Sequence, residues 1–497
     1  MNLLYYGDNL DIMRQMGKDH VDLIYLDPPF SSKKDYNLFY KNMTGKPVPE
    51  QAEAFCDTWE MDPNKERLAR TMPVLMKEYG VDDYYVQFWR LWMEALRHTQ
   101  PHLLAYLIYM VERLLHMKVI LRPTGAIYLY CDPTASHYIK VMMDGIFGHA
   151  NFRNEIIWKR TTVHSDSKTW SRISDAILFY TKSDNFTWNT PREAHSGEYI
   201  AAKYTHDDGD GRKYQLDNMT SPNPRPNMMY EWKGFSFPLN GWRYSKETMT
   251  RLDSEGRIYY PLNKDGSYDT TKRPRLKRYL DEMQGQIMGS VWTDISPVNS
   301  QARERLGYPT QKPVALLDRI IGASSNVGDV VFDPFCGCGT TIYSAVKNER
   351  NWIGCDIAIL AVRLIREVLM ERYHLIEGVN FEVDGIPVSV EEAEALFQKN
   401  PFQFQHWAVE RIGGFPMQKK VADKGIDGRI YFETQDGLRD MVLSVKGGTI
   451  GPTDIRDLRG VLEREGGSAL AGFISMREPT KAVRDEAAHA GMFEYGG

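Results

Sequence analysis

Two short stretches of this chain carry residue types that could act together on a ligand. Asp27-Pro28-Pro29-Phe30 follows the apolar run Val21-Asp22-Leu23-Ile24-Tyr25-Leu26, and Asp333-Pro334-Phe335-Cys336-Gly337-Cys338-Gly339-Thr340-Thr341 follows Val330-Val331-Phe332. In the second, two glycines allow a sharp turn and a close backbone approach to a ligand at the end of a strand. Asp356 lies 17 residues beyond Gly339, where a nucleoside-binding fold puts a carboxylate for the ribose hydroxyls. Thr340 and Thr341 follow Gly339, so the third glycine of the dinucleotide pattern is missing. The first stretch suits a different task. An exocyclic amino group on a base is a poor nucleophile, because its lone pair is delocalised into the ring. A carboxylate accepting one N–H and a rigidly held Pro-Pro carbonyl accepting the other would favour a pyramidal nitrogen aimed at a methyl sulfonium. Phe30 could stack on a base flipped out of the duplex. Each stretch alone also fits a plain turn, strand-to-helix in one case and strand-ending in the other.

The elements around them predict how they meet. Strand signals at Leu3 to Tyr6, Val21 to Leu26, Gly125 to Tyr130 and Ile173 to Thr181 alternate with helix signals at Asn9 to Gly17 and Asp83 to Leu121. Alternation returns with a helix at Val314 to Ala323, a strand at Val330 to Asp333 and a helix at Thr340 to Asn348. A strand at Trp352 to Asp356 and a helix at Leu360 to His374 complete it. Such a rhythm predicts an α/β fold, a parallel sheet with helices on both faces, whose carboxyl edge presents both stretches. Residues 31–67 are polar and irregular, as in a long active-site loop. The most apolar stretch, His102 to Leu121, contains Glu112, Arg113, His116 and Lys118, and reads as a buried helix instead of a membrane span.

Outside this frame the texture changes twice. Residues 189–300 are rich in Gly, Pro, Asn, Asp and Trp, and carry a basic cluster at Lys272, Arg273, Arg275, Lys277 and Arg278. A charge run is most simply a solvated helix face, and on a DNA-binding module it would meet phosphates. After an apparent linker with a short acidic helix at 386–402, residues 403–497 have a helix–strand–strand–helix–strand rhythm of their own. The expected division is therefore 1–188 and 301–385 as one catalytic domain, 189–300 as an insert, 386–402 as a linker and 403–497 as a last domain.

Bulk properties agree. A chain of 497 residues needs two to four domains, and 42% hydrophobic residues suffice for several cores. A net charge of -5 excludes a uniformly basic nucleic-acid coat but not an enzyme with a local basic face. The five cysteines are Cys56, Cys131, Cys336, Cys338 and Cys355, a scatter unlike a disulfide framework, and no His/Cys cluster completes a zinc site. None follows a proline, which excludes the Pro-Cys nucleophile of C5-cytosine methylation. The N-terminus lacks a signal peptide's apolar stretch, so a soluble, cytoplasmic protein that avoids membranes is expected.

Together the two stretches resemble the N4-cytosine/N6-adenine DNA methyltransferases. Asp27-Pro28-Pro29-Phe30 looks like that family's catalytic tetrapeptide, and Phe335-Cys336-Gly337-Cys338-Gly339 like its FxGxG cofactor loop. Tyr308-Pro309-Thr310-Gln311-Lys312-Pro313 is similar to the segment enclosing the cofactor's methionine end, and Gly7-Asp8-Asn9 to the element on the adenine side. The catalytic motif precedes the cofactor motif, the order of the family's β class, whose central insert carries target recognition. RNA and protein-amide methyltransferases with a similar tetrapeptide keep the cofactor motif first. The resemblance implies a Rossmann-like methyltransferase sheet using S-adenosylmethionine on double-stranded DNA. Asp8, Lys312, Asp333, Phe335, Gly337, Gly339, Thr340 and Asp356 would lie at the cofactor, with adenine N6 the favoured acceptor and cytosine N4 the alternative. An idle DNA-binding scaffold is the rival from another class. The C-terminal segment resembles the Mrr-like branch of the PD-(D/E)xK nucleases, a restriction-endonuclease-like α/β fold, through Glu410, Gly425-Ile426-Asp427-Gly428 and Ser444-Val445-Lys446. That resemblance implies Mg²⁺ on Asp427 and a charge-stabilising Lys446, with Glu410 or Glu463 as second carboxylate. Ser444 departs from the branch's Glu or Gln and is a poor metal ligand. A homodimer, or a partner from a restriction–modification or defence system, is what such an architecture implies.

Overall fold

The computed structural model describes residues 2–29, 36–38, 52–55, 59–163, 168–299, 301–308, 310–417, 425–434, 437–465, 470–489 and 493. The chain divides into two compact units, one of Met1–Asn189 with Gly289–Gly497 and one of Thr190–Met288.

The first unit is built on a nine-stranded sheet. Its strands are β1 (Asn2–Tyr6), β2 (Val21–Leu26), β3 (Leu121–Cys131), β4 (Phe152–Lys159), β5 (Ser174–Thr181), β6 (Val291–Trp292), β7 (Val330–Asp333), β8 (Asn351–Asp356) and β9 (Phe381–Asp384). They lie in the order β6-β4-β5-β3-β2-β7-β8-β1-β9. β5 runs antiparallel to both its neighbours, and every other pairing is parallel. β2 is buried at all six positions, as a central strand covered on both faces must be. Its side chains alternate between two cores: Ile24 and Leu26 face one, Leu23 and Tyr25 the other. This is the doubly covered α/β fold that the alternation predicts.

The helical stretch expected from Asp83 to Leu121 is two helices, Asp83–Thr99 and Pro101–Ile120, broken at Gln100 because Pro101 opens the second at its first turn. The second is buried on nearly all sides, Glu112 and Arg113 included, and no helix among the described residues is long and apolar enough to cross a membrane. Much of the irregular stretch 31–67 lies outside the described residues. Within it Tyr36–Leu38 pairs antiparallel with Ala52–Phe55, and a helix Pro63–Glu78 begins.

The unit Thr190–Met288 has a four-stranded antiparallel sheet of Ile258–Tyr259, Arg275–Tyr279, Lys213–Asn218 and His206–Asp207. Its core holds Met219, Trp232, Phe235, Trp242 and Met249. Arg275, Lys277 and Arg278 of the basic cluster fall on the strand Arg275–Tyr279, Lys272 and Arg273 just before it, and none on a helix. Leu276 and Tyr279, three residues apart and so on opposite faces of the strand, are both buried there, while Lys277 and Arg278 pair with Asp208 and Asp217.

Beyond residue 385 the chain forms the short acidic helix expected there, and that helix is packed and not free. Val390–Lys399 is a helix capped by Ser389, and a Cβ on Gly447 would lie 2.4 Å from the Phe397 ring. The last domain has a sheet of Phe415–Pro416, Gly428–Thr434, Gly437–Lys446 and Leu470–Ser475, with helices Pro401–Arg411, Pro452–Glu465 and Lys481–Ala488. One face packs Val442 on Leu458 and Val461. The other puts Leu443 and Val445 into the core that also holds Trp407, Val409, Val362 and Ile365. The C-terminal domain thus shares a core with the large sheet.

Candidate active site

Four adjacent parallel strands, β2, β7, β8 and β1, end at one edge of the sheet and bring Asp27, Asp333, Asp356 and Gly7 side by side. With neighbouring strands about 4.8 Å apart, Asp27 and Asp356 are separated by about 10 Å along that edge. A cavity of about 300 Å³ opens there, lined by Asp27, Pro28 and Pro29 among others, and by Asp8, Phe335, Gly337, Thr340 and Asp356. Phe30, the fourth residue of the tetrapeptide, lies outside the described residues, as do Pro309 and Cys56.

Asp27 is nearly enclosed. Burial pushes its carboxyl above the usual carboxylate range, and the Lys312 ammonium, hydrogen-bonded to Oδ2, opposes that rise. Oδ1 accepts no hydrogen bond from the described residues. Lys312 also lies 4.1 Å from the centre of the Tyr130 ring, whose hydroxyl donates to Asp175, itself paired with Arg160 at 2.8 Å. Lys312, expected at the cofactor, therefore lines the cavity with its ammonium paired to Asp27.

The glycine turn is built as a cradle. Gly339 has φ 88°, and a Cβ there would lie 2.7 Å from Ile365 and 2.9 Å from the Tyr343 ring. It does its work in the backbone at the start of helix Thr340–Lys347, and the cavity is lined by Gly337, Cys338 and Thr340 instead. Asp333 fastens the turn by accepting from the Phe335 N–H at 3.0 Å and from the Thr341 hydroxyl, and burial pushes its carboxyl up to about 7. Asp356 accepts from Gly337 N at 2.8 Å and Ala358 N at 2.9 Å; burial raises it to about 6 against those bonds. Thr340 donates to the Lys312 carbonyl at 3.2 Å, tying the two motifs together.

Sequence reasoning missed a second set of residues. Arg113, 4% exposed, donates to Asp8 at 2.8 Å and Asn9 at 2.7 Å, and sits 3.4 Å from the centre of the Tyr109 ring. Asn9 in turn donates to the Pro334 carbonyl at 2.8 Å. Tyr109 and Arg113 both line the cavity, as do Asn400 and Phe402 from the far end of the chain. The signal was an ion pair's worth of charge inside an apolar helix, since a buried guanidinium must have an acidic partner.

These residues fit S-adenosylmethionine. Buried carboxylates suit ribose hydroxyls and an ammonium, and the Gly337 turn admits close backbone approach.

The other expected sites are not assembled in this way. Lys277 pairs with Asp208 at 2.6 Å, Arg278 with Asp217 at 2.7 Å and Lys272 with Asp269 at 3.0 Å; Arg275 donates to the Asp217 and Leu216 carbonyls. Arg273 is exposed. In the last domain Asp427 Oδ2 accepts from Val445 N at 2.6 Å, which sets it beside the strand that bears Lys446. The expected Mg²⁺ set does not form. Glu410 is buried against helix Ile359–Arg372, with Arg363 and the Ile359 N–H as its neighbours, and Glu463 is exposed and paired with Arg459 at 3.0 Å. No group of three His, Cys, Asp or Glu among the described residues could hold a metal.

Known proteins bear on both parts. Residues 401–495 match the model of a NACHT-associated inactive restriction endonuclease, which removes the support for a Mg²⁺-dependent nuclease while retaining a nuclease-like domain. The chain is similar to the Type II methyltransferase M.EcaI of Enterobacter cloacae, 32% identical over 264 residues, which are 52% of this chain and 56% of the relative. It is also similar to the Type III restriction-modification enzyme StyLTI Mod subunit of Salmonella typhimurium, 27% identical over 386 residues, covering 72% of this chain and 52% of the relative. The DNA adenine methyltransferase YhdJ of Escherichia coli is 49% identical over 72 residues, 14% of this chain and 24% of the relative. The chain spans about half the length of the first two of these curated relatives. Residues 21–367 match the DNA methylase family model, and the chain belongs to the DNA methylase family.

Proposed function

We propose that this chain methylates an exocyclic amine of a base flipped out of double-stranded DNA, with adenine N6 as the acceptor and S-adenosylmethionine as the donor. One observation carries the reading: Asp27 of the Asp-Pro-Pro turn and Asp356 beyond the glycine turn line one cavity at the ends of strands two places apart. The bound donor supplies an electrophilic methyl on a sulfonium. Asp356 takes the ribose hydroxyls, and Asp8 with Arg113 borders the same cavity. Asp27 Oδ1 accepts one N–H of the acceptor amine, and the Pro28 carbonyl region takes the other. As the nitrogen attacks, positive charge grows on it beside Asp27, which is the acceptor nearest to the proton the nitrogen then sheds. Burial favours the neutral form of that carboxyl, and Lys312 favours the carboxylate. The likeness to a relative called a DNA adenine methyltransferase supports adenine over cytosine.

The unit Thr190–Met288 is the target-recognition module in this reading, with Arg273 as the member of the basic cluster best available to phosphate. The likeness to a Type III Mod subunit supports a restriction-modification partner in the cytoplasm, and self-association is testable by light scattering. The C-terminal domain is read as an Mrr-like fold that does not cut, so plasmid DNA should survive incubation with Mg²⁺. The experiment for the whole reading is nucleoside analysis of DNA incubated with the purified chain and S-adenosylmethionine. Methylated adenine supports it, N4-methylcytosine replaces the acceptor, and no methylated base removes the activity.

A further inference from the structure

The segment leading into the C-terminal domain reaches the cavity. Asn400 and Phe402 both line it, at the start of helix Pro401–Arg411. Their place along the sheet edge follows from their neighbours. A Cβ on Gly7, just beyond β1, would lie 3.8 Å from Nε2 of Gln403, so the first turn of this helix covers the β1 end. Asp27 stands three strands away, beyond β8 and β7. Ile357, the residue after Asp356, lines the same cavity and is 51% exposed.

The helix is fixed there. Trp407 and Val409 are buried in one core with Val362 and Ile365 of helix Ile359–Arg372. Arg363 donates to the Glu410 carbonyl at 3.5 Å, and the Glu410 side chain lies against the N-terminus of that same helix. The Phe402 ring rests on His406 with ring centres 4.2 Å apart. A nuclease-like domain that shares a core with the sheet thus holds two side chains at one end of the cofactor cavity.

The chemistry of that end is specific. With the reacting methyl at Asp27 and the ribose at Asp356, the flat purine must continue in the same direction, past β8 toward β1. A purine needs apolar surface on its faces and a donor for a ring nitrogen. Ile357 and Phe402 provide apolar surface. Asn400 uses Oδ1 to cap the helix, accepting from Gln403 N at 3.1 Å, which leaves its Nδ2 as a donor.

We propose that Phe402 and Asn400 hold the adenine of the cofactor, which makes the first turn of the C-terminal domain a wall of the methyltransferase pocket. The proposal rests on reading the cavity as an S-adenosylmethionine site. It also gives the domain a role that needs no cleavage: the domain closes the nucleoside end of the pocket.

The test is calorimetric titration of the full-length chain with S-adenosylmethionine and, separately, with adenosine, which lacks the methionine arm. Phe402→Leu keeps apolar volume but removes the π face, and it should raise the dissociation constant of S-adenosylmethionine about tenfold, the size of one stacking contact. Adenosine should weaken by the same factor, and Phe402→Tyr should bind both as the natural chain does. Thermal melting of each variant checks that the fold is retained. Binding by the natural chain with no change in Phe402→Leu overturns this proposal alone. No binding by the natural chain overturns the reading of the cavity with it.

Discussion

The Lys312 ammonium donates to the Asp27 carboxylate across 285 residues of chain. The bond joins the segment before the glycine turn to the Asp-Pro-Pro turn, and it bears on the charge of the carboxylate proposed to meet the acceptor amine. Burial favours the neutral carboxyl at Asp27 and Lys312 favours the carboxylate, so the pair decides whether the site is armed.

Replacing Lys312 by Met removes the group that lowers the Asp27 pKa. The acid limb of the rate profile should therefore move to higher pH, with a larger loss of methyl transfer at about pH 6 than at about pH 8. A pH–rate profile on a DNA substrate measures it, and an unmoved limb would mean that Lys312 does not control Asp27.

Asp356→Asn keeps the size of the side chain but loses one strong acceptor. Affinity for S-adenosylmethionine should fall by about 1–3 kcal/mol, the cost of hydrogen bonds to a charged group. Unchanged affinity by calorimetry would take Asp356 off the ribose.

Glu410 makes a statement about stability. Burial pushes its carboxyl up to about 8, against the favourable influence of Arg363 and the Ile359 N–H. The folded chain keeps this proton at pH values where the unfolded chain has released it. Its contribution is full below the ordinary glutamate pKa and is lost as pH rises to about 8. Asp333 at about 7 and Asp356 at about 6 act in the same sense. Glu410→Gln should make the decline of unfolding free energy between about pH 5 and pH 8 shallower, by on the order of 1 kcal/mol per pH unit at most, as followed by denaturant unfolding at each pH. A decline as steep as in the natural chain would assign the slope to other groups.

The parts legible in the sequence were those set by local rules. A continuous apolar run ending in Asp-Pro-Pro reads as a buried strand with its carboxylate at the sheet edge, and β2 with Asp27 is that. Gly337 and Gly339 announce a turn that L side chains resist, and Gly339 has the positive φ to match. What escaped were contacts between distant segments. Arg113 reads as one charge on an apolar helix until Asp8 is brought to it, and the short acidic helix expected within 386–402 shows no packing partner until Phe397 meets Gly447. The basic cluster was read as a possible helix because its strand lacks the alternation of a half-buried strand: Leu276 and Tyr279, three residues apart, are buried on opposite faces. Only folding shows that Asp208, Asp217 and Asp269 already neutralise most of it.

That neutralisation shapes the test of DNA contact. Arg273→Ala should weaken DNA binding and lower its salt dependence by about one counterion. Arg278→Ala should instead unfasten Asp217 and lower the melting temperature of the unit. A salt slope untouched by Arg273→Ala would leave that side chain a solvated surface group.

In the proposed reaction Asp27 accepts the target amine while the cofactor lies beyond it toward Asp356. The most direct measurement is mass spectrometry of nucleosides from DNA incubated with S-adenosylmethionine and either the natural chain or Asp27→Ala, with cofactor affinity measured in parallel. The account predicts N6-methyladenine from the natural chain. It also predicts a loss of about 10²-fold or more in Asp27→Ala, with cofactor affinity retained. Methylation by Asp27→Ala at the natural rate would contradict it.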